Sequence, residues 1–373
     1  MSKQILITGG AGFVGSHLAD GLLKAGHSVR VLDCLTPQVH GDSVPDYLSR
    51  DVELMVGDIR DPNAVRKALA NVDVIYHFAA VVGVGQSMYE ISRYMSTNTQ
   101  GTAELLQAML DLRLAPEKLV VASSMSIYGE GSYICASCGS NANPPVRTTA
   151  QLRSGRWDTQ CELCGGTLKP VPTKETKPGN LNSVYALSKR DQEELCLIYG
   201  RTYGIPVTAL RFFNIYGTRQ ALSNPYTGVA AIFASRLLNG QPPMVFEDGQ
   251  QMRDFVSVYD IVRANMLAIE SRPSDGEVIN VGCGKPISIL QVAQILARSL
   301  GKELAPVISQ KYRAGDIRHC YADLTKARDL LGYEPRVTHE EGFKELAEWL
   351  AEQEAEDKAD TMIRELTAYG LTA

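Results

Sequence analysis

This 373-residue sequence predicts an α/β chain built on a doubly wound parallel sheet, with a smaller C-terminal lobe and an inserted cysteine loop. Three observations predict it. Short β-branched or apolar runs alternate with amphipathic stretches over most of the chain, which is the pattern of strands joined by helical crossovers. A glycine-rich turn, "TGGAGFVG", follows the first run and opens the first helical stretch. Two C-x-x-C pairs, Cys135/Cys138 and Cys161/Cys164, then interrupt the rhythm.

Taken in order, "QILITGG" reads as the first strand, and Val14, Leu18 and Leu22 give the helix after it its apolar face. "HSVRVLD" is a strand that ends in Asp33, and "VGDIR" follows a third strand and carries Asp58. "DVIYHFAA" and "KLVVASSM" continue the sheet. A long helix is predicted from Tyr185 to about Tyr203, then "VTALRFFN" and, further on, "EVINVGCG" as strands. After Gly217 the rhythm loosens into Pro-, Asn- and Gly-rich loops and helices, as in a lobe that covers a substrate. The charged stretch "HEEGFKELAEWLAEQEAEDKADTMIRELTAY" is expected to be one solvated surface helix with a sparse apolar stripe. The expected division is 1–217 with 252–282 for a dinucleotide domain, 131–172 for the inserted loop, and 218–251 with 283–373 for a substrate lobe.

Composition narrows the function classes. Hydrophobic residues make up 45% and charged residues 21%, which are globular values. A net charge of -5 with no basic stripe counts against nucleic acid as a partner. The chain enters its first strand without a charged-then-apolar leader, and no apolar run approaches about 18 residues. The expectation is a cytoplasmic protein with no membrane partner. In that compartment paired cysteines favour metal over disulfide. Four thiolates fill a tetrahedral ion and leave no open position, so Cys135, Cys138, Cys161 and Cys164 read as a zinc-ribbon site with a structural zinc. A redox dithiol and unliganded free cysteines are the competing readings. Cys34, Cys196, Cys283 and Cys320 stand singly and read as small buried hydrophobes.

Gly9, Gly12 and Gly15 let backbone N–H groups and a helix N-terminus approach a pyrophosphate, the signature of a Rossmann-type dinucleotide site. Asp33, about 20 residues on, can accept hydrogen bonds from ribose hydroxyls and would repel a 2′-phosphate, which favours NAD over NADP. Asp58 falls where an acid could meet the adenine. A ligand-free tight turn is the competing reading for the glycines, and a solvated loop acid for Asp58. "SVYALSK" places Tyr185 and Lys189 on one helix face, where an ammonium would lower the phenol's pKa toward neutrality and make it a general base. Ser124 ends a strand and can share the same substrate oxygen.

With these motifs in this order, the sequence resembles the extended short-chain dehydrogenase/reductase family, and within it the nucleotide-sugar 4-epimerases and dehydratases. The likeness spans nearly the whole chain outside roughly 131–172. It implies catalytic roles for Ser124, Tyr185 and Lys189. It implies a cofactor site of Gly9, Gly12, Phe13, Val14, Gly15, Asp33, Asp58, Ile59, Phe78, Ala79, Ala80, Asn98, Ser123, Tyr185, Lys189 and Phe212. It implies a substrate site of Ser124, Ser126, Asn214, Arg253, Arg313 and Asp316, where the arginine forks suit a diphosphate; surface solubility is the competing reading for the two arginines. A homodimer through helices of the first domain is a further implication.

In the family's 4,6-dehydratases an Asp-Glu pair follows the catalytic hydroxyl residue. Here Met125 and Ser126 stand there, and neither does acid/base work at pH 7. A ketoreductase would consume NADPH, against Asp33. The expected activity is therefore NAD-dependent 4-epimerisation of a nucleotide sugar, and the wording of "SSMSIYGEG" and "FEDGQQMRDFVSV" is similar to that of bacterial dTDP-L-rhamnose 4-epimerases. A dehydratase or 4-ketoreductase of the same fold and a non-enzymatic NAD-sensing protein are the rival readings. Because Ser124 and Tyr185 are interrupted by the cysteine loop, that loop is expected to form a lid near the sugar pocket.

Overall fold

Seven strands pair in parallel in a computed structural model that describes residues 2–41, 43–313 and 315–372. They are β1 (Gln4–Thr8), β2 (Ser28–Asp33), β3 (Glu53–Val56), β4 (Val74–His77), β5 (Lys118–Ser124), β6 (Val207–Phe212) and β7 (Glu277–Val281). Their order is β7-β6-β5-β4-β1-β2-β3, so the chain winds outward from β1 in both directions. Alternation along each strand feeds both faces. Ile5 and Ile7 face one core with Leu18 and Leu22 of helix α1 (Phe13–Lys24), while Leu6 faces another with Leu105 and Met109 of α2 (Gly101–Asp111). Helix α3 (Val184–Tyr203) joins the second face through Cys196 and Leu197, and α4 (Val258–Glu270) joins the first through Ile261 and Ala264. Ser183 caps α3 through the Ala186 N–H, and Gly204 ends it at φ 70°, a left-handed turn that glycine adopts without strain.

A second, smaller sheet has no counterpart in the sequence reading. Met252–Ser257 lies between Asn214–Tyr216 and Pro286–Ser288, and His319–Cys320 pairs with its first residues. A third core, with Phe233, Leu296, Phe343 and Leu346, packs below it.

The final segment corrects the expectation of one solvated helix. It forms two helices, His339–Leu350 and Ala359–Ala368, with buried stripes of Phe343, Leu346 and Leu350 and of Met362 and Leu366. The break between them has a tertiary cause. Ser223 accepts from the Glu356 N–H, Ser235 donates to the Glu356 carbonyl, Asn239 donates to the Ala355 carbonyl, and Arg236 pairs with Asp357. These contacts take the backbone of 355–357 out of helical pairing.

The inserted loop carries a three-stranded antiparallel sheet with Ser132–Cys135 between Asn141–Ala142 and Leu168–Val171. Its own apolar core is only Tyr133, Cys135, Cys161 and Leu168. Among the described residues, no helix is long and apolar enough to cross a membrane.

Candidate active site

A cavity of about 620 Å³ lies beyond the carboxyl ends of the parallel strands, where doubly wound sheets bind ligands. Gly9 follows β1, Asp33 ends β2, Phe78–Ala80 follow β4, Ser123 and Ser124 end β5, and Phe212 ends β6, and all line it. The glycine turn is a cradle that side chains would fill. A Cβ on Gly9, at φ +72°, would stand 2.8 Å from the Ala79 nitrogen, and one on Gly15 would stand 2.5 Å from the Gly9 oxygen. Helix α1 follows Gly12 at its N-cap, with no side-chain cap and no acid in its first turn, so its N-terminal N–H groups are left for an anion. Asp33 braces this turn, accepting from the Ala11 N–H at 3.0 Å and the Leu35 N–H at 2.9 Å. These features fit a dinucleotide.

Of the predicted cofactor residues, Phe13, Val14, Asp58, Ile59, Phe78, Ala79 and Ala80 also line the cavity. Asp58 is gripped by the Arg60 guanidinium at 2.9 and 2.6 Å, a bond that holds its carboxyl below the usual range. Asn98 does not line the cavity. It is buried behind the wall in a stretch of wide-wound helix, Met95–Gln100, and its amide serves the backbone of Val81 and the hydroxyl of Ser188. It shapes the site from behind. Ser123 donates to buried Glu193 at 2.6 Å, so its hydroxyl is already committed. Cys34, expected to be buried, is exposed at the cavity edge; Cys196, Cys283 and Cys320 are buried as expected.

The proposed catalytic side chains converge. Ser124 accepts from the N–H and the hydroxyl of Ser126 at 3.1 and 2.9 Å, and Tyr185 lines the same cavity near it. The expected lowering of the tyrosine pKa by Lys189 is not found. Burial pushes the Tyr185 phenol up, with only the Ser124 hydroxyl opposing it. The Lys189 ammonium is instead held by Gln192 at 2.7 Å, and burial draws it down to about 8. Gln192 went unrecognised in the sequence, although with Tyr185 and Lys189 it repeats at i, i+4 and i+7 on α3. Its amide also reaches His77, the Ala79 carbonyl and Thr102.

Lys189 allows a prediction on stability. Its folded pKa of about 8 lies below the usual 10.5, so between those values the unfolded chain binds more protons and stability rises with pH. Below pH 8 the cost of a buried ammonium is fully present. Lys189→Met is expected to be more stable than the wild type at pH 7 by about 1–3 kcal/mol and to lose the rise above pH 8. Denaturant midpoints from pH 7 to 10 check this; a variant less stable at pH 7 contradicts it.

At the other end of the cavity stand Asn214, Arg253, Arg313 and Asp316. Arg253 donates to the carbonyls of Met252, Ile317 and Arg318, so its fork also holds the wall together. Arg313 pairs with Asp316 at 3.0 Å and lies over the Phe246 ring at 4.8 Å. The amide oxygens of Asn214, Gln220 and Gln251 are buried on this wall with no donor among the described residues, and they could accept from a ligand. Gln220 and Gln251 carry no local sequence signal. Met362 and Leu366 of the last helix, with Leu371, close the cavity, whereas none of the described residues 131–172 lines it. The expected cysteine lid is therefore not a wall of this pocket.

The four cysteine sulfurs lie within 4.8 Å of one another, with Cys135–Cys164 at 3.5 Å and Cys138–Cys161 at 3.8 Å. A tetrahedral ion with Zn–S bonds of about 2.3 Å requires sulfurs about 3.8 Å apart. Gly139 and Gly165, at φ 70° and 71°, turn the two knuckles. All four thiols are free, and the donor set fits a closed tetrahedral ion.

A family profile described as "NAD dependent epimerase/dehydratase family" matches residues 5–150 and 161–282. The chain is 34% identical to a dTDP-L-rhamnose 4-epimerase of Burkholderia thailandensis, over 94% of this chain and 96% of that protein. It is also 34% identical to a UDP-N-acetyl-alpha-D-glucosaminuronate decarboxylase of Bacillus cytotoxicus, over 95% and 99%. Among solved structures it is similar to the UDP-glucuronic acid 4-epimerase from Bacillus cereus in complex with UDP-glucuronic acid and NAD. That likeness has a TM-score of 0.75 and 27% identity, over 93% of this chain and 99% of that one.

Proposed function

The chain belongs to the NAD-dependent epimerase/dehydratase family, and on that premise we propose that it inverts carbon 4 of a nucleotide-diphosphate sugar, dTDP-L-rhamnose or a related dTDP- or UDP-hexose. The observation that carries this reading is the cavity's acid content. Asp33 ends β2 and Asp58 follows β3 at the dinucleotide end, Asp316 pairs with Arg313, and beside Ser124 stand Met125 and Ser126. No other acid lines the cavity among the described residues, so the second proton abstraction of a dehydratase has no carboxylate base beside Ser124.

Gly9, Gly12 and Gly15 would hold the pyrophosphate of NAD and Asp33 its ribose hydroxyls, a reading supported by the relative solved with NAD. Bound NAD supplies a cationic ring that accepts a hydride and gives it back. Tyr185 takes the proton from the sugar's 4-hydroxyl and later returns it, while Ser124 orients that oxygen. Lys189, held by Gln192, faces the same cavity as the tyrosine. Arg253 and Arg313 hold the diphosphate, so only the sugar turns between the two half-reactions. A homodimer is proposed through α2 and α3, whose Leu110, Leu187 and Ile198 are exposed. The four cysteines are proposed to hold one structural zinc, which metal analysis of fresh protein checks. The domain limits given above, a dinucleotide part and a substrate lobe, are part of the same reading.

The test is a panel of dTDP- and UDP-sugars with product analysis, together with the identity of the nucleotide released on denaturation. Interconversion of 4-epimers and release of NAD are expected. A stable keto product, loss of carbon dioxide from a uronate, or release of NADP would overturn the reading.

A further inference from the structure

The insertion lines no part of the cavity, yet it is wired to it through a buried ionic network. Arg147, on the stretch between the two cysteine pairs, is 5% exposed. Its fork grips Glu247 at 2.9 and 2.8 Å and also reaches the Asp316 carbonyl at 3.0 Å. Glu130, at the entry to the insertion, accepts from the Arg318 N–H at 2.7 Å and from Tyr133 at 2.8 Å. Asp158 of the insertion and Asp248 then share the Arg318 guanidinium.

Both recipients belong to the substrate end. Glu247 has φ 54°, a left-handed backbone that a residue with a Cβ adopts at a cost. Its neighbour Phe246 lines the cavity and underlies Arg313. Asp316 is the residue that pairs with Arg313. The strained turn at Glu247 and the carbonyl of Asp316 are therefore both held from the insertion side by Arg147, and the Arg318 guanidinium also reaches Glu247 at 3.4 Å.

We propose that Arg147 is a positioning residue through which the cysteine-bound insertion sets the affinity for the nucleotide-sugar diphosphate, leaving the proton and hydride chemistry alone. This rests on the function proposed above. A metal held by the four cysteines would close the 22-residue span between Cys138 and Cys161, restrict the loop and so present Arg147 at less entropy cost. The partly built alternative is an inert ornament, and the network's position argues against it. A charge pair this deep is costly to build and is strongly felt when one partner is removed.

The experiment compares wild type, Arg147→Met, the double variant Arg147→Met/Glu247→Gln, Arg147→Lys and Cys161→Ser in the full chain. The double variant removes Arg147 together with the charge of Glu247 and so guards against misfolding from an unpaired Glu247, while buried Glu130 keeps its bonds from the Arg318 N–H and from Tyr133. Binding of dTDP and of UDP is measured by calorimetry, turnover with the sugar nucleotide found active, and backbone hydrogen exchange over 311–318. A rise of about tenfold in nucleotide Kd and in KM is expected, with kcat within about threefold and faster exchange over 311–318. Arg147→Lys should recover part of the loss, and Cys161→Ser should lose metal and follow the double variant. Unchanged Kd, KM and exchange in the folded double variant overturn the proposal, as does an equal fall in kcat with KM unmoved. If the wild type binds neither nucleotide and converts no sugar, the function fails instead. Exchange over 311–318 then decides the clamp alone, faster in the double variant if it holds and unchanged if it does not.

Discussion

Replacing Tyr185 by Phe is expected to lower turnover by about 10²-fold or more while leaving NAD binding as it is. The substitution removes one hydroxyl from the cavity and little else. The ring keeps its edge-on contact with Tyr94 at 6.4 Å, and the Tyr185 N–H keeps its bond to Ser87 at 3.0 Å. What is lost is the proton acceptor beside Ser124. Burial raises the phenol in the free protein, so activity should climb with pH on its acidic limb as the base form is populated. The Phe variant should lose that dependence together with the rate. Steady-state kinetics across pH, with NAD binding measured by fluorescence, check both; a variant that retains turnover within a few-fold assigns the base elsewhere.

The second large effect is expected from Gly15→Ala. The added Cβ would lie 2.5 Å from the Gly9 oxygen and 2.6 Å from the Gly10 Cα, both backbone atoms that no rotamer change can move aside. The turn must open, and overpacking of this kind costs about 1–3 kcal/mol. If that strain falls on the cradle, NAD affinity drops by about 10- to 100-fold. Calorimetry with NAD on cofactor-stripped protein measures it, and a normal affinity would mean that the pyrophosphate does not sit at this turn.

Much of this was legible in the sequence for local reasons. Strands such as "KLVVASS" carry an unbroken apolar stretch, Leu119–Ala122, because both faces of a central parallel strand are buried, and the glycine turn and the Tyr185/Lys189 spacing are short-range patterns. What was not legible depends on distant chain. His319–Cys320 and Pro286–Ser288 are strands of two and three residues that exist only because Met252–Ser257 lies beside them. The break before Ala359 is made by Ser223, Ser235 and Asn239, more than a hundred residues away. The tyrosine pKa failed as an expectation because spacing gives proximity, whereas burial, set by the whole fold, decides the sign. Arg147 sits in a polar loop and gave no sign of the partners at Glu247 and Asp316.

In the proposed reaction one carbon is oxidised and re-reduced within a single cavity. The most direct measurement uses a nucleotide sugar carrying deuterium at carbon 4, turned over in ordinary water, with the product's isotope located by NMR. The 4-epimer is expected to retain the label at carbon 4, because the hydrogen taken is the hydrogen returned. A label found on another carbon, or lost to solvent, would contradict it.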